Sequence, residues 1–364
     1  MIRINMFSQA DSVQGQGVGS AYKELIRLLR TRLVDEFYVT INKYGRSDLT
    51  HYHTINPTYF ANSFLPSRGR KIGYVHFLPE TLEGSVKLPG PAKNIFYKYV
   101  IDFYKRMDQI VVVNPIFITK AYLHNMDGVV APSERVKETL TRYGVTIPMR
   151  VIPTGVDLTA INENPRRNVR KELGIDSNQK VILTLSRVAA EKKIDQILDV
   201  LPTVLENEPN VKFVIAGDGP DVQPLKDQVA RLSLEDYVIF AGSVEHSDVG
   251  NYYRMADLFV SASDTETQGL TYIEALAAGT KCVVYSTDYT EHVFDNRELG
   301  STFTTKSEMT NEIIDYLKAN QFIIPKDLKE KKLIDVSAAT FARKIEAFYQ
   351  EAIQNKQKTE VNYD

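Results

Sequence analysis

The chain has 364 residues and a single cysteine, Cys282, set in the apolar run KCVVY. One cysteine excludes an internal disulfide framework and fits a reducing cytoplasm. No apolar run approaches the roughly 20 residues of a membrane span, and the opening MIRINMFSQ lacks the long apolar core of a signal peptide. No Asp-x-Asp pair and no His/Cys cluster occurs. Net charge is small too, at −2, but it is unevenly spread. Residues 1–120 hold 16 Lys/Arg against 9 Asp/Glu, so the remainder is acidic. A basic first part suits an anionic surface or ligand on that side.

What is present is a globular composition, 43% hydrophobic and 25% charged, in a chain too long for one ordinary core. Apolar runs alternate with helical segments. In the first half, RINMFSQ (3–9) leads through a glycine-rich turn into an amphipathic helix from about Ser20 to Leu33. FYVTINK (37–43), LTHYHTI (49–55) and KIGYVHF (71–77) follow as short strands. From Val181 the alternation sharpens, with VILTLS (181–186), VKFVIAG (211–217), YVIFAG (237–242), DLFVSAS (257–263) and KCVVYS (281–286). Buried parallel strands with crossover helices carry this signature, and two such halves predict an α/β chain of two doubly wound, Rossmann-like domains. The linker is placed at VIPTGVDL (151–158), which gives domains of 1–150 and 151–364. The last helix, SAATFARKIEAFYQEAIQ (337–354), is amphipathic with Ser337 as its cap.

Open parallel sheets bind ligands beyond the carboxyl ends of their strands, so residues after each apolar run are the candidates. Arg187 follows VILTLS, and Lys192 stands five residues on. A guanidinium fork and an ammonium together suit a diphosphate, although Arg-x4-Lys alone is usually surface decoration. Gly217 and Gly219 in AGDGP let a ligand approach the backbone, or make a plain turn. In TETQGLTYIEALAAG (265–279), Gly269 sits where a helix begins, and the N–H groups of Leu270 and Thr271 form an anion site. Glu266 and Glu274 flank it. Eight helical residues span roughly 12 Å, more than the roughly 5–9.5 Å of a glycosidase acid pair, so the two glutamates fit the ends of a ligand better than a hydrolytic dyad.

These motifs together, E-x7-E in ETQGLTYIE with S-R-x4-K, A-G-D-G-P and V-I-P-x-G-V-D, resemble the retaining, nucleotide-sugar-dependent glycosyltransferases of family 4 over nearly the whole chain. The resemblance implies the GT-B fold, in which two domains face a central cleft and the last helix crosses back. It implies that Arg187 and Lys192 hold the donor diphosphate, Glu266 the sugar hydroxyls and Glu274 the ribose. It also implies that Gly269, Leu270 and Thr271 meet sugar and phosphate, that Ser243 and Val244 face the base, and that no metal cofactor is needed. Thr267-Gln268 departs from the Gly-Phe of many members, which bears on sugar preference. A dinucleotide dehydrogenase is disfavoured, because QGQGVGS (14–20) lacks an acidic ribose partner placed after a second strand.

In the first half, Gly15 and Gly17 lie where backbone could approach the donor phosphate, and three glycines in five residues are equally a common loop. By the resemblance His76, in GYVHFLPETLEG, contacts the donor sugar near the reacting carbon; a hydrogen-bonded loop histidine is the alternative. His51 and His53 read as structural. The segment NIFYKYVIDFYKRM joins Lys93, Lys98, Lys105 and Arg106 to Phe96 and Tyr97, and RGRK (68–71) adds positive charge. A helix seated on an anionic membrane has this composition, as does a core helix with snorkelling lysines. Residues 1–120 are similar to the streptococcal and lactobacillal enzymes that add a second hexose to monoglucosyldiacylglycerol. Residues from about 121 are similar to those that glucosylate diacylglycerol. The two regions meet at a repeated element, KRMDQIVVVNP (105–115) and HNMDGVVAPSE (124–134), which a hybrid of two paralogues or one divergent member would explain. The combined expectation is a peripheral enzyme on the cytoplasmic face of the cell membrane. It would carry glucose from UDP-glucose to a diacylglycerol-type lipid for lipoteichoic acid anchors, with no nucleic-acid partner. A soluble sugar-acceptor transferase and a non-catalytic nucleotide-sugar binder are the alternatives.

Overall fold

The computed structural model describes residues 1–8, 17–31, 35–53, 57–75, 115–156, 158–163, 167–266, 268–319 and 322–361. The calls at Gly15, His76, Lys93, Phe96, Tyr97, Lys98, Lys105 and Arg106 lie outside these residues, as does most of the first copy of the repeated element.

The chain divides into two compact units. One comprises Met1–Ser8, Glu36–Val151 and Phe348–Asp364, and the other Gln9–Asp35 and Ile152–Ala347. In the first unit the strands are β1 (Ile2–Phe7), β2 (Phe37–Ile41), β3 (Leu49–Tyr52), β4 (Arg70–Tyr74), β5 (Gly128–Ala131) and β6 (Met149–Val151). They form one parallel sheet in the order β2-β1-β3-β4-β5-β6. In the second unit the strands are β7 (Lys180–Leu185), β8 (Val211–Ala216), β9 (Val238–Gly242), β10 (Leu258–Ser261), β11 (Lys281–Tyr285) and β12 (Gly300–Phe303). Their order, β12-β11-β10-β7-β8-β9, is again parallel throughout. Both sheets are the doubly wound α/β type that the alternating runs predict.

In the second unit the apolar runs divide cleanly between two layers. Val181, Leu183, Val214, Ala216, Phe259, Cys282 and Val284 point into one core cluster. Ile182, Phe213, Ile215, Leu258, Val260 and Val283 point into the other. The two-residue period of a strand sends alternate side chains to opposite faces, and both faces are covered by helices, which is why these strands read as continuous hydrophobic runs. Burial also pushes the Cys282 thiol well above its ordinary range. β12 carried no apolar run in the sequence. It is a short edge strand, GSTF, paired only to β11, and it opens on Gly300, whose φ of +154° few other residues adopt.

The basic tetrad RGRK does not supply the free positive charge read from the sequence. Arg68 is 1% exposed. Its guanidinium donates to Gly45 O at 2.8 Å and Tyr44 O at 3.1 Å and lies over the Phe7 and Tyr44 rings. Arg70 is paired with Asp127 at 2.5 Å, and Lys71 Nζ donates to Ser63 O at 3.0 Å. The histidines of β3 and its end are buried, as a structural role requires.

The final helix, Ala338–Val361, starts at Ser337, whose Oγ accepts from Thr340 N at 3.2 Å, so the expected cap is present. Within the first unit, Phe348 packs so closely on Gly128 that a Cβ there would lie 2.8 Å from the ring. Tyr349 is fully buried, with His51 Nδ1 2.5 Å from its hydroxyl, and the Phe37 ring meets it edge-on. Arg150 pairs with Glu351 at 2.8 Å. Tyr349→Phe removes one buried hydrogen bond while keeping the ring. It is expected to lower stability by about 1–3 kcal/mol, read as a shift of the urea midpoint, whereas Tyr349→Ala should cost roughly 3–5 kcal/mol.

Candidate active site

Strand order in the second unit reverses between β7 and β10, where Ile182 pairs with Leu258 and Leu183 with Phe259. Connections leave these two neighbours toward opposite sides, so a crevice opens beyond their carboxyl ends. Arg187 stands two residues past β7, and Lys192 ends a short 3-10 turn, Ala190–Lys192. Past β10 the chain presents Ser263, Asp264 and Glu266.

The two connections are bonded to each other. Ser263 Oγ donates to Glu191 O at 3.0 Å, Lys192 Nζ pairs with Glu266, and Lys193 Nζ pairs with Asp264. Arg187 lies 3.6 Å from Glu191. The pairing of Lys193 fits its backbone, which adopts φ 50°, ψ 37°, a left-handed conformation costly for a residue with a Cβ. Its ammonium also sits 6.0 Å from the Tyr285 ring centroid, within cation–π reach. The site thus brings Arg187, Lys192 and Glu266 to one place. Lys193, Asp264 and Glu191 are further members that the sequence reading passed over; their position just after a strand was the available signal.

Gly269 has φ 69°, and a Cβ there would fall within 2.0 Å of the Tyr272 ring, so only glycine fits. The helix Leu270–Ala278 follows immediately, leaving the Leu270 and Thr271 N–H groups in its first turn without partners inside the helix. Glu274 lies in the next turn, 8% exposed. Its Oε2 accepts from the Tyr253 hydroxyl at 2.9 Å, while Oε1 accepts nothing from the described residues. Burial pushes the Glu274 carboxyl above the ordinary glutamate range, opposed by His246 and by the Tyr253 hydrogen bond. Tyr253 belongs to the helix Val249–Met255, which follows the connection bearing Ser243 and Val244 after β9. Ser243 is exposed and Val244 partly buried against the core.

The glycines of AGDGP serve a different neighbour from the one first considered. A Cβ on Gly217 would stand 1.8 Å from Ser186 O, and one on Gly219 would stand 2.1 Å from Val188 O. Val188 N donates to Asp218 O at 3.0 Å and Asp221 N to Val188 O at 3.1 Å. The close approach is therefore that of the Arg187 connection itself, which these glycines shape. Gly17 opens the helix Gly17–Thr31. Among the described residues no group of three or more His, Cys, Asp or Glu side chains could hold a metal ion, and no helix is long and apolar enough to cross a membrane.

Two family models match the chain in tandem. "Glycosyltransferase Family 4" covers residues 18–160 and "Glycosyl transferases group 1" covers residues 165–334. The α-galactosylglucosyldiacylglycerol synthase of Streptococcus pneumoniae is 35% identical over 339 residues, 91% of this chain and 83% of that protein. The chain belongs to glycosyltransferase family 4. A second relative of this glycosyltransferase, the α-monoglucosyldiacylglycerol synthase of the same organism, is 37% identical over 242 residues, 65% of this chain and 55% of that protein. The sucrose-phosphate synthase of Thermosynechococcus elongatus shares the fold. It has a TM-score of 0.74 at 16% identity, over 98% of this chain and 100% of that one.

Because its folded-state pKa is raised, Glu274 in the ionised form opposes folding. Its penalty is absent below the unfolded value near 4.5 and grows as pH rises toward the folded value. Glu274→Gln is accordingly expected to match the parent chain's stability at about pH 4 and to exceed it increasingly above about pH 5, by at most about 1.4 kcal/mol per pH unit. Chemical unfolding curves across pH check this.

Proposed function

We propose that this glycosyltransferase moves glucose, with retention, from UDP-glucose to a diacylglycerol-type glycolipid at the membrane surface, with glucosyldiacylglycerol as the preferred acceptor. One observation carries the reading. Where the strand order reverses, Lys192 is ion-paired with Glu266, and Arg187, on the same connection as Lys192, lies 3.6 Å from Glu191; the helix Leu270–Ala278 follows Glu266 in the chain. Two cations and free backbone N–H groups suit a diphosphate, and a carboxylate beside them suits the hydroxyls of the sugar it carries. The lipid acceptor is supported by the two pneumococcal relatives, both named as diacylglycerol glycolipid synthases. The longer match is to the one named for the second sugar, which favours an acceptor that already bears glucose.

In this reading the bond between the sugar's anomeric carbon and the β-phosphate oxygen breaks while the acceptor oxygen joins that carbon on the same face. The acceptor's proton passes to the departing phosphate oxygen. Charge accumulates on the diphosphate as the bond breaks, and Arg187, Lys192 and the helix N-terminus are fixed there before it does. They supply the neutralisation that a bound cation would otherwise give. Glu274, with Oε1 open, takes the ribose hydroxyls, and the connection at Ser243 and Val244 takes the base. Lys192 is paired with Glu266, so the donor would slot into an existing ion pair and share both partners. The anionic membrane surface and the lipoteichoic acid role belong to the same proposal. Exposed Phe64 and Leu65, 62% and 45% accessible on the first unit, suit a lipid contact.

Incubating the chain with UDP-glucose and anionic vesicles containing glucosyldiacylglycerol should yield an α-linked dihexosyl lipid and UDP. Transfer only to soluble sugars would contradict the lipid acceptor, and use of UDP-galactose alone would contradict the donor. Arg187→Ala and Lys192→Ala should each weaken UDP binding by roughly 1.5–3 kcal/mol, the worth of a charge-assisted hydrogen bond, as measured by calorimetric titration.

A further inference from the structure

Gln268 stands two residues after Glu266 and immediately before Gly269, and its side chain is bonded to Thr154. It is 3% exposed. Its Oε1 accepts from Thr154 N at 2.6 Å, and its Nε2 donates to Thr154 O at 3.0 Å. A carboxamide can satisfy both backbone groups of one residue in this way because it carries a donor and an acceptor side by side. Thr154 is equally buried, at 3%, so water is poorly placed to replace these two bonds.

The segment held by Gln268 has a particular place in the chain. The second unit begins at Ile152, so Thr154 lies on the stretch that has just left the first unit. The next residues are bonded to the segment around the start of the final helix. Val156 N donates to Val336 O at 2.9 Å, and Ala338 N donates to Val156 O at 3.1 Å. A Cβ on Gly155 would come within 2.9 Å of Ala338 Cα and 2.7 Å of Phe341 Cβ. Phe341 lies on the final helix, whose residues from Phe348 on belong to the first unit. The stretch that has just left the first unit and the start of the final helix thus meet around Gly155, and Gln268 joins the start of the Leu270–Ala278 helix to that stretch.

We propose that Gln268 is a positioning residue for transfer. Its double hydrogen bond sets the start of the Leu270–Ala278 helix, and so Glu266 and the first-turn N–H groups, against the segment that joins the two units. The inference rests on the donor site assigned above. It gives the departure from the more usual residue a definite role, fixing the backbone that meets the donor rather than touching the sugar. The carboxamide is required in both its halves. A methionine of similar length provides neither. A glutamate provides the acceptor at any pH, but the donor only when protonated.

The test uses the full chain, with UDP and UDP-glucose as probes and vesicles of glucosyldiacylglycerol as acceptor, at a temperature where circular dichroism shows each variant folded. Gln268→Met should lower kcat about tenfold or more and weaken UDP by a smaller factor, because the first-turn N–H groups meet the diphosphate whereas Glu266 meets only the sugar. For Gln268→Glu, whose carboxyl is expected to sit well above the ordinary glutamate range because the position is 3% exposed, kcat relative to the parent should rise at least about threefold as pH falls from about 8 to about 5.5, as the carboxyl gains the proton it needs to donate to Thr154 O. If Gln268→Met does not fold, the Gln268→Glu pH profile decides alone. A methionine variant with parental kcat, or a glutamate variant whose relative kcat is flat with pH, overturns the inference while leaving the donor site standing. A parent chain that binds no UDP overturns the donor site and the positioning role with it.

Discussion

The pairing of β7 with β10 is the constraint on which the site depends. It sets Ile182 against Leu258 and Leu183 against Phe259 at the point where strand order reverses. Two connections that would otherwise diverge are thereby brought face to face. Each is charged, one with Arg187, Lys192 and Lys193 and the other with Asp264 and Glu266. The ion pairs between them are a consequence of that adjacency. The sheet can hold this arrangement because alternate side chains of every central strand enter one of two apolar layers, leaving only the strand ends for polar chemistry.

Much of this was legible in the sequence. Fully buried parallel strands must be continuous apolar runs, so β7, β8, β10 and β11 were readable to within two residues. The rule that ligands meet strand ends then pointed at Arg187, Lys192 and Glu266. Gly269 was readable as the point where a helix begins; its left-handed backbone was not. β12 was not readable, because its four residues, GSTF, hold one apolar side chain, Phe303, although three of the four are buried.

The failures have a common physical origin in long-range partners. RGRK looks like a cationic patch, but Arg68 finds carbonyls at Tyr44 and Gly45, and Arg70 finds Asp127, none of them nearby in the chain. The glycines of AGDGP were read as a close-approach point for a ligand or a plain turn, and the neighbouring connection at Ser186 and Val188 comes close to them as well. Thr267-Gln268 stood out only as a departure bearing on sugar preference, and the partner of the Gln268 amide, Thr154, is 114 positions away. In each case the residue type itself was legible. What was missing was the partner, which only the fold supplies.

The central claim is that a nucleotide diphosphate is held at the carboxyl ends of β7 and β10, against the start of the Leu270–Ala278 helix. Amide hydrogen exchange with and without UDP addresses it directly. The account predicts slowed exchange at Leu270 and Thr271 and in the Arg187–Lys193 stretch, with little change in the β12 and Lys306–Ala319 region on the far edge. UDP binding accompanied by protection elsewhere, and none at these amides, would contradict it.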